Sequence, residues 1–372
     1  MPKLFVASGI FHPESGGPAT YLKTILPALQ EAGWQLRVQT FGEPHGGDYP
    51  YPVTRIARSP YPIRQARYAL ASRNHLSWAD LVFAHSLDLP LPGARDQPRV
   101  IKIVGDQAWE RCRRRGWIPG DLGIDEFQSY QGDWRVRWQK ASRSRQLAAM
   151  DAIIAPSRYL KRMVISWGID PTRAHVIYNA LPHEIALNET RAEIRSLLNW
   201  DDRPTLITVA RLQPWKGVDH LIAALRQLTD LRLVVVGDGP ESSRLKQLAA
   251  PLGDRVIFTG ALMQEQVHRL IRAADGLALY SGYEGLSHTL LESLRLGTPA
   301  LASDIGGNPE VIRHGINGLL VPYIDGAALR RGIQELIERR DEFAANCQLD
   351  LGRFRLETMA RRTDALLRSL LR

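Results

Sequence analysis

The stretch Gly276-Leu-Ala-Leu-Tyr280-Ser281-Gly-Tyr-Glu284-Gly285-Leu286-Ser287-His288-Thr-Leu-Leu-Glu292 decides the fold class. Gly276 to Tyr280 is a short apolar run of strand length. Ser281 to Gly285 breaks it with two glycines. From about Leu286 the apolar residues Leu290, Leu291 and Leu294 return at helical spacing. A buried strand, a glycine-bearing loop and a helix in that order form the repeating unit of a parallel sheet wrapped by helices.

The same unit recurs on either side. In the second half the spacing predicts strands at 205–210, 232–236, 256–259, 299–302 and 318–321, alternating with helices. In the first half it predicts strands at 3–8, 36–41, 81–84, 100–104, 152–155 and 175–178, with a helix from about Pro18 to Ala32 that Pro27 should kink. The polar stretch 188–203 separates the two series, and 180–204 reads as a hinge. The expected architecture is α/β: two doubly wound, Rossmann-like domains facing across a cleft. One spans 1–185, the other 186–353, and an amphipathic helix in 354–372 joins the first.

The 372-residue length suffices for two cores, and 44% hydrophobic with 23% charged residues excludes a disordered or fibrous chain. The apolar runs are far shorter than the ~20 residues a spanning helix needs. Met1 to Phe11 reads as a first strand rather than a leader. Cys112 and Cys347 have neither metal-ligand nor redox-pair spacing, which points to a reduced, cytoplasmic compartment. The net charge of +9 is uneven: residues 1–190 hold 24 Lys+Arg against 17 Asp+Glu, the remainder 24 against 22. The basic first half suggests an anionic partner there, or merely a solubilising surface.

Ligands of open α/β sheets bind at the carboxyl ends of strands, where helix N-termini aim backbone N–H groups at them. Strand 205–210 runs into Arg211-Leu-Gln-Pro-Trp-Lys216-Gly217, a pair of cations suited to a diphosphate. Glu284 and Glu292 lie eight residues apart, one fit for sugar hydroxyls and the other for a ribose. Apolar neighbours argue that Glu292 has a specific partner rather than solvent. Gly285 allows close backbone approach, and the first amides of the helix near Leu286 and Ser287 could hold phosphate oxygens.

With these motifs in this order the chain resembles the retaining glycosyltransferases of family 4, which have the GT-B fold. Gly16-Gly17 matches the first-loop glycines, Arg211 and Lys216 the cation pair on the donor diphosphate, and Gly237-Asp-Gly-Pro240 the loop after the second donor-domain strand. Glu284 and Glu292 match the Glu-x7-Glu pair. Gly306-Gly-Asn-Pro-Glu310 and Gly315-Ile-Asn-Gly-Leu-Leu-Val321 complete the pattern. The resemblance implies a nucleotide-diphosphate-sugar donor, a glycan, lipid-linked glycan or small-molecule acceptor, and a last helix crossing back to the N-terminal domain. It also implies no metal and no bound cofactor, and the chain has no Asp-x-Asp. It implies that the leaving diphosphate itself accepts the acceptor's proton.

The chain departs from the family where many members carry a sugar-contacting His: Gly105 stands there. Asp106 is the substitute candidate, though it reads equally as a helix cap; His85 is a second. His288 and Ser287 replace an apolar residue and a glycine. The segment 107–145 holds nine Lys+Arg, five acids and four of the nine tryptophans. Trp109, Arg113, Arg114 and Arg115 are its candidates for an acceptor side meeting an anionic membrane surface, which would place the protein peripherally at the inner face. The plainer alternative is a folded insertion with core tryptophans. Rival functions are a GT-B nucleotide-sugar epimerase, for which no acid–base pair stands out, and a catalytically silent nucleotide-sugar-binding protein. Nucleic acid is not expected as a partner despite a pI near 9.7, for want of a recognised module.

Overall fold

A computed structural model describes residues 1–14, 16–43, 48–92, 97–181, 185 and 187–371. The chain divides into two compact units, Met1–Ala180 with Arg353–Arg372, and Leu181–Gly352.

The first unit is built on seven parallel strands: β1 (Lys3–Ala7), β2 (Gln35–Phe41), β3 (Val53–Ile56), β4 (Leu81–Ala84), β5 (Arg99–Lys102), β6 (Ala152–Ala155) and β7 (Ala174–Val176). Their order is β3-β2-β1-β4-β5-β6-β7. β1 sits centrally, Leu4 opposite Leu36 on one side and opposite Leu81 on the other. Its alternating residues serve two cores: Leu4 and Val6 face one that includes Tyr21, Leu22 and Ile25, whereas Phe5 and Ala7 pack with Leu76 and Val82. The helix Gly17–Glu31 runs unbroken through Pro27. The helix Leu356–Ser369 lies against it, with Met359 and Leu367 in the same core. Trp34 Nε1 donates to Asp364 Oδ1 at 2.7 Å, and Arg368 to the Ala32 carbonyl at 2.6 Å, fixing that helix in place.

The second unit has six parallel strands: β8 (Thr205–Val209), β9 (Arg232–Val236), β10 (Val256–Gly260), β11 (Gly276–Leu279), β12 (Ala300–Ser303) and β13 (Gly318–Val321). The order is β10-β9-β8-β11-β12-β13. β8, β9, β11 and β12 are buried on both faces, as strands between two helical layers must be. At the amino edge, Asp275 gathers Arg191, Arg195 and Arg340, tying the helix Arg191–Leu197 to the sheet.

Two parallel sheets in this arrangement confirm the doubly wound class. Particular elements depart from the sequence reading. β3 was not foreseen, because Thr54 and Arg55 on a half-buried edge strand make no apolar run. The helix expected near Leu286 begins at His288, because Ser287, itself extended, caps it. Lys216 ends a single 3₁₀ turn, Pro214–Lys216, and the following helix starts at Val218.

Candidate donor and acceptor-side sites

The order of the second sheet places a topological switch point between β8 and β11. Strands β9 and β10 are added on one side, β12 and β13 on the other, so the loops leaving β8 and β11 diverge and open a crevice at the carboxyl edge. Those two loops carry Arg211–Gly217 and Ser281–Ser287. The backbone joins them: Gly282 N donates to the Trp215 carbonyl at 2.8 Å.

Within the crevice Lys216 Nζ lies 2.6 Å from Glu284 Oε1, both side chains mostly buried. Arg211 is exposed and has no ion-pair partner among the described residues. Glycines permit the close approach. Gly217 has φ +62°, and a Cβ there would meet the Tyr280 carbonyl oxygen at 1.9 Å. A Cβ at Gly306 would meet the Glu284 carbonyl oxygen at 2.2 Å, and Gly307 N donates to that oxygen at 2.8 Å. The 306–310 loop thus supports the backbone on which Glu284 and Gly285 sit. Gly237 is constrained in the same way, since a Cβ on it would strike the Ala210 carbonyl oxygen at 2.0 Å. It packs against the loop carrying Arg211, which is the physical reason for glycine at that position.

Glu292, in the helix His288–Arg295, is 9% exposed, so the solvated reading fails. Gln264 Nε2 donates to its Oε1 at 2.9 Å, and His268 Nε2 stands 3.7 Å away. Both partners come from the helix Gln264–Ala273. Their spacing of four, on one helical face, was the available signal, and the sequence reading missed it. Leu286 is buried, and the Ser287 hydroxyl accepts from Leu290 N at 3.2 Å. This bond satisfies one amide of the helix's first turn. No group of three or more His, Cys, Asp or Glu placed to hold a metal ion occurs among the described residues.

In the first unit Gly16 and Gly17 stand at the exposed start of the helix Gly17–Glu31, which has no side-chain cap and no acid in its first turn. Asp106 requires a correction. It is 0% exposed and fully engaged: it accepts from Ala108 N and Trp109 N, from Gln128 Nε2 at 3.0 Å, and from the buried Arg143 guanidinium. Four donors leave the carboxylate no role as a substrate contact; it caps the helix Gln107–Arg114 and neutralises Arg143. Trp109 is likewise a core residue, 1% exposed, with its Nε1 donating to the Leu122 carbonyl at 3.2 Å. Arg113 lies over its ring and bonds the same carbonyl. Arg114 and Arg115 are exposed. The tryptophans that reach solvent are instead Trp134, 70% exposed, and Trp138, 57% exposed. They lie one turn apart on the helix Trp134–Ala148, beside the exposed Arg137 and Arg145.

His85, just past β4, is 4% exposed among the rings of Tyr21 and Phe83. Burial and the neighbouring Lys102 push its pKa well down.

Residues 15–184 match the family model described as Glycosyltransferase Family 4, and residues 190–348 the one described as Glycosyl transferases group 1. An alpha-D-kanosaminyltransferase of Streptomyces kanamyceticus is 33% identical over 42% of this chain and 43% of its own length. A GDP-mannose-dependent alpha-(1-6)-phosphatidylinositol monomannoside mannosyltransferase of Mycobacterium tuberculosis is 34% identical over 42% of this chain and 44% of its own. The matches span half or less of the length of these curated relatives. Among solved structures, a sucrose-phosphate synthase from Thermosynechococcus elongatus superposes with a TM-score of 0.81 at 21% identity, over 100% of this chain and 99% of its own. HepE of Anabaena, in complex with UDP, superposes at 0.78 with 22% identity over 100% of both chains. These likenesses concern the fold, which is GT-B, whereas the two sequence models in tandem speak to ancestry. The chain belongs to the group 1, family 4 glycosyltransferases.

Proposed function

We propose that the protein transfers a sugar from a nucleotide-diphosphate donor to an acceptor, with retention of anomeric configuration and without a metal. The observation that carries this reading is the Lys216–Glu284 pair, 2.6 Å apart at the switch point of the second sheet. A lysine held by a carboxylate that also reaches a sugar is positioned before the substrate arrives, and Arg211 adds an unopposed cation beside it. Glu292, held by Gln264, takes the ribose. Gly285, Leu286 and Ser287 supply close backbone approach to the phosphates.

In the reaction the bond from the anomeric carbon to the diphosphate oxygen breaks. The acceptor oxygen bonds to that carbon from the same face, and its proton passes to the departing phosphate oxygen. The protein has to stabilise the charge that accumulates on the diphosphate, which Arg211 and Lys216 do; no enzymic nucleophile is needed. The UDP and UDP-glucose in the HepE structures support a nucleotide-sugar donor.

No helix among the described residues is long and apolar enough to cross a membrane. The exposed pair Trp134 and Trp138 with Arg137 and Arg145, joined by Arg114 and Arg115, supports peripheral docking on an anionic cytoplasmic membrane face. Indole rings suit the headgroup boundary and guanidinium groups the phosphates. The acceptor would then be a glycan or lipid-linked glycan.

A thermal-shift panel of UDP, GDP, ADP, CMP and TDP with their sugars tests the reading. The correct donor at 100 times its Kd should stabilise the protein by about 2.7 kcal/mol. No shift with any of them at millimolar concentration overturns it. Donor binding without turnover, including hydrolysis, would favour a silent binding protein.

A further inference from the structure

Of the 48 cationic side chains, 41 are arginine and seven are lysine. One of the seven, Lys102 at the end of β5, is 1% exposed. Its Nζ stands 4.1 Å from the centre of the Tyr21 ring and has no hydrogen-bond partner among the described residues. His85, at the end of the adjacent β4, is also buried, with its Nε2 unpartnered among them. β4 and β5 are parallel, so both residues occupy the carboxyl edge of the first sheet. With Pro18, Ser86, Gly105 and Glu110 they line a cavity of about 140 Å³.

An unpartnered buried ammonium is costly, by several kcal/mol relative to water. Burial pulls Lys102 down to about 7. Arginine could not relieve the cost in that way, because its guanidinium keeps its proton. A chain that otherwise prefers arginine thus carries, at this floor, the cation able to shed its charge when alone and regain it when an anion arrives. Pro18 brings the start of the helix Gly17–Glu31 to the same wall. That N-terminus has neither a side-chain cap nor an acid in its first turn, so its dipole also favours an anion. Glu110 is the carboxylate in the wall, and it is partly exposed where Lys102 and His85 are buried.

We infer that this cavity binds an anionic group carried by the acceptor, a carboxylate or a phosphate, with Lys102 as its counter-ion and His85 as a second hydrogen-bond partner. The inference rests on the transferase reading above. Arg211 and Lys216 already answer the donor's diphosphate, which leaves the Lys102 cavity to the other substrate.

Seven lysines make the test direct. In protein labelled at lysine ¹³Cε, the Lys102 signal is assigned by its loss in Lys102→Met. Inorganic phosphate and glucuronate are titrated separately, followed by the nucleotide diphosphate that the thermal-shift panel selects. The expected result is a saturable shift of the Lys102 signal with one of the two anions, showing which group is preferred, and none with the nucleotide. Binding of that anion should weaken at least tenfold in Lys102→Met, while the nucleotide-induced thermal shift persists. Absence of a saturable response to both anions in folded wild-type protein overturns the site. A response to the nucleotide overturns its assignment to the acceptor. If no nucleotide stabilises the wild type, the transferase reading fails, and the acceptor assignment with it, while anion binding at Lys102 remains separately measurable.

Discussion

Lys216 Nζ and Glu284 Oε1, supplied by loops 68 residues apart in the chain, meet at 2.6 Å where the second sheet reverses its strand order. Each holds the other in a mostly buried position, so removing either leaves an uncompensated charge. Lys216→Ala should lower kcat/KM by about 2–4 kcal/mol, or roughly 30- to 1,000-fold, through lost stabilisation of the leaving diphosphate. Steady-state kinetics with the donor chosen by the thermal-shift panel would measure this. Unchanged kinetics would remove Lys216 from the site.

Gly217→Ala should destabilise the second unit by at least about 2 kcal/mol, lowering its Tm by roughly 4–8 °C. The added methyl would sit 1.9 Å from the Tyr280 carbonyl oxygen at φ +62°. Gly315→Ala is the control, since its φ is +76° but nothing lies within 4 Å of the added Cβ. Equal thermal shifts for the two variants would show that left-handed strain, not the contact with the end of β11, requires glycine at 217.

On the proposed reading, in which Arg211 and Lys216 meet the charge on the leaving diphosphate, transfer should persist in excess EDTA. Loss of activity that Mg²⁺ or Mn²⁺ restores would show that a divalent ion supplies part of that charge.

The tryptophans divide into two classes with opposite phenotypes. Trp109→Ala should cost about 3–5 kcal/mol of stability, as a buried aromatic truncation does. The double change Trp134→Ala with Trp138→Ala should alter stability by no more than about 1 kcal/mol, because both rings are exposed. It should, however, reduce co-sedimentation with phosphatidylserine-containing vesicles, and the residual binding should weaken with salt. Equal vesicle binding by wild type and the double variant would dismiss this face as a membrane contact.

Lys102 makes stability depend on pH in a defined direction. Its folded value is about 7, against an ordinary value of 10.5. Between those limits the unfolded chain binds a proton that the folded chain does not, so this residue's contribution to stability rises with pH. Below about pH 7 both states are protonated and the burial cost is felt in full. Lys102→Met should therefore raise Tm relative to wild type most at pH 6–7, with the gap narrowing towards pH 10. A gap independent of pH would mean that Lys102 keeps its proton.

The strands β8, β9 and β11 were readable because burial on both faces leaves a mainly apolar, β-branched or small-residue run, and their following loops announced themselves by charge and glycine. The half-buried β3 left no such trace. Arg211, Lys216, Glu284 and Glu292 were legible as residues, since charges at strand ends rarely lack a purpose. Their partners were not: nothing local to Lys216 names Glu284, and nothing local to Glu292 names Gln264. Asp106 and the tryptophans show why side-chain identity alone misleads. Trp134 and Trp138 have the spacing of a core stripe, yet their helix buries Val136, Gln139, Arg143 and Leu147 instead. Gln139 and Arg143 go inward because Arg111 and Asp106 are there to receive them. That is a tertiary fact, which periodicity cannot encode.

The helix Leu356–Ser369, clasped to Trp34 and Ala32, has a consequence for how the protein is made. The first half of the chain leaves the ribosome with one wall of its core missing. The 172 residues of Leu181–Gly352 must be synthesised before the closing helix is translated. At 5–20 residues per second this interval lasts roughly 10–30 s. The later unit can thus complete itself first, while Tyr21 and Trp34 wait uncovered, in need of a chaperone's shelter or of fast translation.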